Sequence, residues 1–173
     1  MRSIRYSVAM SLDGYIAGPN GEIDWIIMDP EIDFGALMNR FDTVLMGRRT
    51  FEAAQSLGGG GAMPGMKAIV VSRTLRQEDF PDITILSDNL DASLARLREE
   101  PGKDIWLFGG GSLFRSLLDA RLVDAVEVAV IPVLLGGGTP LLPATAKRVH
   151  LRLVSSKVYG KTGIMSLEYA VEA

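Results

Sequence analysis

Short apolar runs alternate with stretches of helical periodicity over the first two thirds of this chain, and that alternation restricts the fold more than any other feature. Residues 4–10 read as a strand, with Ile4, Tyr6, Val8 and Met10 alternating against Arg5 and Ser7. Turns at Asp13-Gly14 and Pro19-Asn20-Gly21 bracket a short strand, Tyr15-Ile16-Ala17. Asp29-Pro30 predicts a helix start with Asp29 as cap, and Phe34, Leu37, Met38 and Phe41 follow at the spacing of one buried helical face. A buried strand from Thr43 to Met46 ends at Gly47, a second helix is expected from about Thr50, and Gly58–Gly61 reads as a flexible loop. Strands at 68–71 and 83–86, a helix at 88–99 and the apolar strand Ile105–Phe108 come next. Leu113, Phe114, Leu117 and Leu118 then give one more helix its buried face. From Val123 onward the chain is strand-rich, closing with an antiparallel pair near 150–158 and 164–170. The pattern predicts an α/β fold: a mostly parallel central sheet with helices on both faces and an antiparallel C-terminal edge. At 173 residues, one domain spanning 1–173 is expected.

Composition narrows the function. An apolar content of 47% with 23% charged residues is globular, and no apolar run nears the roughly 20 residues of a membrane helix. The start Met1-Arg2-Ser3-Ile4-Arg5 carries no signal-peptide pattern, and the lack of cysteine fits a cytoplasmic location. A net charge of −3 without a basic block argues against nucleic acid as a partner. One histidine and no cysteine exclude a zinc site of the cysteine/histidine kind. A Ser-His-Asp hydrolase would need His150, and no Gly-x-Ser-x-Gly elbow exists to partner it, so His150 reads as structural. Chemistry without metal or thiol usually borrows its reactivity from an organic cofactor.

Three strand ends carry the candidate chemistry. Leu107-Phe108-Gly109-Gly110-Gly111-Ser112 is a buried strand, a glycine turn and a helix start, where bare backbone N–H groups favour a phosphate. It is not the G-x-G-x-x-G of a Rossmann turn. Taken alone, it is equally consistent with a phosphate site and with an empty connection. Met46-Gly47-Arg48-Arg49-Thr50, with Thr50 as cap, makes a second anion site, and Val71-Ser72-Arg73-Thr74 a third. In a parallel sheet these ends share one edge, which suits a dinucleotide bearing an additional 2′-phosphate. The acid candidate is Glu31, three and seven residues before Phe34 and Met38, where a carboxylate facing a pocket would be desolvated and raised in pKa. Asp33 lies near the same helix end, and both carboxylates also suit a helix dipole.

Together these motifs resemble the dihydrofolate-reductase-like superfamily, which includes the reductase domain of bacterial riboflavin deaminase–reductases. The residues that carry the resemblance are Ser11 to Ala17, Val44 to Phe51, Met63 to Lys67, Ile69 to Arg73 and Ile105 to Phe114, in family order. The resemblance implies NADPH lying across the strand ends, held by Gly47, Arg48, Arg49 and Thr50, by Ser72 and Arg73, and by Gly109, Gly110, Gly111, Ser112, Leu113 and Phe114. It puts Val8, Ala9 and Ile16 near the nicotinamide. Glu31 falls where folate enzymes keep their acid, and Asp13, Phe34, Met38 and Met66 face the substrate. It further implies a homodimer through the β-rich end after Val123.

The substrate half departs from both well-known branches. Met66 stands where folate reductases keep an arginine for the folate carboxylate, and the region of Ala129 lacks their supporting threonine. Ser7 stands where riboflavin-pathway reductases keep a lysine, and Gly58–Met63 replaces one of their segments. A stand-alone reductase of a pteridine- or pyrimidine-like heterocycle is therefore expected. The competing expectation is a nucleotide-binding or dimeric interaction module that kept the fold without turnover.

Overall fold

The structure, a computed structural model, describes residues 1–58, 63–144 and 147–172. In chain order its elements are β1 (Ile4–Ser11), β2 (Tyr15–Ala17), α1 (Phe34–Met38), β3 (Phe41–Gly47), α2 (Arg48–Ser56), β4 (Lys67–Val71), β5 (Thr84–Leu86), α3 (Leu90–Glu99), β6 (Asp104–Gly109), α4 (Gly111–Asp119), β7 (Ala125–Ile131), β8 (Thr139–Pro140), β9 (Leu151–Val158) and β10 (Met165–Val171). Gly59–Gly61 of the expected glycine loop lie outside the described residues.

Eight strands form one sheet in the order β5-β4-β3-β6-β1-β7-β10-β9. β5 through β7 pair in parallel, whereas β10 runs antiparallel to β7 and to β9. The expected mostly parallel sheet with an antiparallel C-terminal edge is present. Its parallel strands are apolar on both sides because helices cover both faces. On one face Ile4, Tyr6, Leu45, Leu107 and Val126 pack against Leu94 and Leu97 of α3 and Leu113, Phe114 and Leu117 of α4. The Tyr6 and Phe114 rings stack there with centroids 3.8 Å apart, an arrangement worth about 1 kcal/mol beyond area burial. On the other face Phe41, Val44, Met46, Val70 and Trp106 pack against Phe51 of α2 and Met38 of α1. Among the described residues no helix is long and apolar enough to cross a membrane.

Two helix starts differ from expectation. α1 begins at Phe34, and Asp33 is its cap, its Oδ1 accepting the Ala36 N–H at 2.9 Å. Asp29 is instead a buried loop carboxylate, and the segment from Pro30 to Ile32 is not helical. The i, i+7 spacing misled because Phe41 is the first buried residue of β3, while Phe34 is 39% exposed and α1 buries no residue fully. α2 begins at Arg48 with Gly47 as cap, so Thr50 lies inside the helix and caps nothing. β7 sits between β1 and β10, which makes its apolar run interior, and among the described residues β5 and β9 are the edge strands. His150 lies exposed just before β9, where its carbonyl accepts the Glu172 N–H at 3.0 Å.

Candidate functional site

The parallel register sets three strand ends side by side. Gly47 pairs with Val71 across β3 and β4, and Met46 pairs with Gly109 across β3 and β6. Gly109 has a φ of +152°, and the Gly109–Gly110 peptide is cis. A methyl group on Gly110 would lie 3.4 Å from Thr50 Oγ1, so α2 and the glycine turn are in close approach. Gly47 caps α2 and Gly110 caps α4, and neither helix has a side-chain cap or an acidic residue in its first turn. Glycine has no side-chain oxygen to offer, so the leading N–H groups and the positive helix ends are left for something outside the helix. α1 contrasts with both, because Asp33 satisfies its start.

The side chains around these ends divide into two groups. Arg49, Arg73 and Ser112 are exposed, and Arg48 pairs with Glu52 at 3.0 Å one turn further on. Leu113 and Phe114 are buried in the core. Ser72 is buried, and its Oγ accepts the Thr74 and Leu75 N–H groups, each at 3.1 Å, which folds the chain back after β4.

The residues expected near the nicotinamide and substrate occupy the neighbouring sheet centre. Val8 and Ala9 lie in β1 opposite Val128 and Ala129 of β7, with Val8 toward α4 and Ala9 on the opposite face beside Trp25 and Ile32. Met38 and Met66 pack on the cluster around Trp106, whose Nε1 donates to the Ser7 carbonyl at 2.9 Å. Phe34 is partly exposed at the start of α1, and Ile16 is half-buried in β2. Asp13 has a structural set of partners: Oδ1 accepts from Ser11 Oγ and the Leu135 N–H, and Oδ2 accepts the Gly136 N–H at 2.8 Å. The Ser11 hydroxyl, ahead of those amides, holds the Asp13 carboxyl below its ordinary range.

Glu31 is exposed in the turn before α1, in contrast to the buried helix edge that the spacing implied. Its N–H donates to Asp29 Oδ1 at 2.8 Å, and Thr162 Oγ1 donates to Asp29 Oδ2 at 2.6 Å. The Thr162 hydroxyl, more than the Glu31 amide, keeps the Asp29 carboxyl below its ordinary range. The cap role expected of Asp29 is therefore not the one it has, and its partner Thr162 carries no signal in the local sequence. An ion network joins β1, β6, β7 and β10: Glu127 accepts from Arg5 at 2.8 Å and Arg40 at 2.7 Å, while Arg5 also reaches Asp104 and Glu168. Its signal was present, since Glu127 is the one charged residue within an otherwise apolar strand.

Comparison with known proteins identifies the family and supports the fold. The model of the RibD C-terminal domain family matches residues 2–165. The uncharacterized protein YyaP of Bacillus subtilis is 35% identical over 97% of this chain and 94% of its own length. A crystal structure from Shewanella sp. PV-4, provisionally assigned to riboflavin biosynthesis, superposes with a TM-score of 0.84 at 27% identity, covering 100% of both chains. Dihydrofolate reductase from Enterococcus faecalis, complexed with NADP(H), shares the fold with a TM-score of 0.72 at 18% identity, over 99% of this chain and 97% of its own.

Proposed function

The chain belongs to the RibD C-terminal domain family, and from that premise we propose that it is an NADPH-dependent reductase of a pteridine- or pyrimidine-like heterocycle. The observation that carries this reading is the pair of glycine-capped helices without a side-chain cap, α2 and α4, following neighbouring strand ends. Their N–H groups suit a pyrophosphate, and the exposed Arg49 and Arg73 suit a 2′-phosphate. A reduced nicotinamide supplies hydride when bound. Ala9, Ala129 and Ile16 give it a small, apolar floor, and Glu31 carries the proton for the reduced C=N or C=O bond. A planar ring held beside Phe34 and Met38 withdraws Glu31 from water, which places the desolvation that a proton donor needs in the substrate complex. Met66 offers no charge to a carboxylate, which favours a substrate without the glutamate tail of folate.

Thermal melting tests the cofactor half. NADPH at a hundred times its Kd should add about 2.7 kcal/mol. For a chain of this length that raises Tm by roughly 5–10 °C, with NADH giving less. No shift with either would overturn the reading. Arg49→Ala and Arg73→Ala should each weaken NADPH about ten- to a hundredfold, the worth of a charged hydrogen bond, and leave NADH unaffected. Equal losses for both cofactors would move the 2′-phosphate elsewhere. For substrate, loss of NADPH absorbance with dihydrofolate, the riboflavin pyrimidine intermediate and simple pterins tests turnover. The exposure of Glu31 is the observation that favours the second reading, a nucleotide-binding module without turnover. NADPH binding without turnover of any of the three would support it.

The proposed assembly is a homodimer through β9. The antiparallel register sets Leu151, Leu153, Val158 and Met165 on one face of the β9–β10 edge. They remain 42%, 52%, 63% and 40% exposed, beside a strand edge with no neighbour. A self-complementary apolar edge of this kind suits a two-fold contact between copies. Sedimentation should give a dimer, and Leu153→Arg should shift it to monomer. A monomer for the unaltered chain at assay concentrations would refute the contact.

A further inference from the structure

Asp29 does something that neither a helix cap nor a surface acid does. It is 2% exposed, yet both carboxylate oxygens are used: one accepts the backbone N–H of Glu31, the other the hydroxyl of Thr162. Its carbonyl also accepts the Ile32 N–H at 3.1 Å, so the two residues after Pro30 are both tied to Asp29. Thr162 sits at the tip of the β9–β10 turn, 133 residues further along the chain. That turn is itself closed by the Gly163 N–H to the Tyr159 carbonyl at 2.8 Å and the Tyr159 N–H to the Ile164 carbonyl at 2.9 Å. Tyr159 and Ile164 pack in one cluster with Ile131, and Ile32, Trp25, Ala9 and Ala129 pack against it. The residue on the C-terminal side of Glu31 therefore packs on the cluster that includes the β1–β7 floor, while the residue two before it is held by the turn.

We propose that Asp29 is a positioning residue, fixing the backbone of Glu31 over the sheet, and that Thr162 of the β9–β10 turn is its anchor. This rests on the reading of Glu31 as the proton carrier. The Thr162 backbone amide and the Lys161 charge also act on Asp29 from this turn, so the turn holds the Asp29 carboxylate and the carboxylate in turn holds the Glu31 backbone. Displacing a proton carrier by about 1 Å costs roughly a hundredfold in rate, because proton transfer requires hydrogen-bond reach. The strand ends that suit the cofactor are not touched by either residue.

The test compares five variants of the full chain with whichever of dihydrofolate, the riboflavin pyrimidine intermediate or pterin it turns over. Asp29→Ala should lower kcat about ten- to a hundredfold, with NADPH affinity unchanged. Thr162→Val, which deletes one hydroxyl, should lower it less. Asp29→Asn, which keeps an acceptor for Glu31 and gains a donor for Thr162, and Thr162→Ser should retain most of the turnover. Amide hydrogen exchange at Glu31 should quicken in Asp29→Ala and Thr162→Val and stay slow in the two conservative variants. If Asp29→Ala does not fold, Thr162→Val decides. Unchanged kcat and unchanged Glu31 exchange in Thr162→Val, with Glu31→Gln impaired, would overturn the anchor and leave the proton role standing. Equal losses in Asp29→Asn and Asp29→Ala would make charge the operative property and also overturn positioning. Unimpaired Glu31→Gln, or no turnover by the unaltered chain, would remove the reading beneath the inference.

Discussion

Glu31→Gln is expected to lower kcat about a hundredfold or more while leaving NADPH affinity unchanged. Glutamine keeps the size and hydrogen-bonding reach of glutamate and removes only the transferable proton, so the loss belongs to the chemical step. The Glu31 backbone stays tied to Asp29 in the variant, because that contact uses the main-chain N–H. Steady-state loss of NADPH absorbance measures kcat, and the Tm shift with NADPH measures binding. A variant as fast as the unaltered chain would end the proton role. Asp33→Asn provides the contrast: its oxygen still caps α1, so its turnover should change little.

The second large effect is structural. Gly138→Ala is expected to destabilise the chain by about 3 kcal/mol, a Tm loss of roughly 6–12 °C. Gly138 has a φ of +140°, and a methyl group on it would sit 2.1 Å from the Ala17 carbonyl oxygen, inside any allowed contact. The clash falls on the β2–β8 pair, where Ala17 is opposite Thr139 and Tyr15 opposite Pro140. Relief requires the two segments to part. The Asp13 carboxylate holds the Leu135 and Gly136 amides, and the Gly14 carbonyl accepts the Leu141 N–H at 2.9 Å, so parting strains both sides. Ile16 lies in the same strand, so weaker NADPH binding should accompany the fall in Tm. A melting temperature equal to that of the unaltered chain would show that the strap accommodates the methyl group at no cost.

The legible parts of the fold were those with local signatures. β3, β4 and β6 are buried on both faces, so their apolar runs mark them directly. α4 buries Leu113, Phe114, Leu117 and Leu118, and that spacing predicts it without ambiguity. α1 was misjudged because its five residues bury nothing fully, which leaves no periodicity to read. Phe41 lent a false period from the following strand. The site was legible where glycine runs met strand ends, and illegible where a side chain's role depends on a distant partner. Asp13 belongs to a sequence motif, yet its partners at 135 and 136 are visible only in three dimensions.

By itself the sequence determined that this chain alternates strand and helix, ends in an antiparallel edge, and carries three glycine- or serine-marked strand ends, two of them with cations beside them. Apolar runs and apolar periodicity are local properties, and local residues encode them. Only the tertiary structure decided that β3, β4 and β6 are neighbours, so that those ends converge, and that β9 is an edge strand while β7 is interior. It alone decided that Asp29 faces Thr162 and leaves α1 to begin at Phe34 with Asp33 as its cap. A carboxylate hydrogen-bonds to whatever donor the fold brings within reach, and a donor 133 residues away leaves no trace in the local pattern.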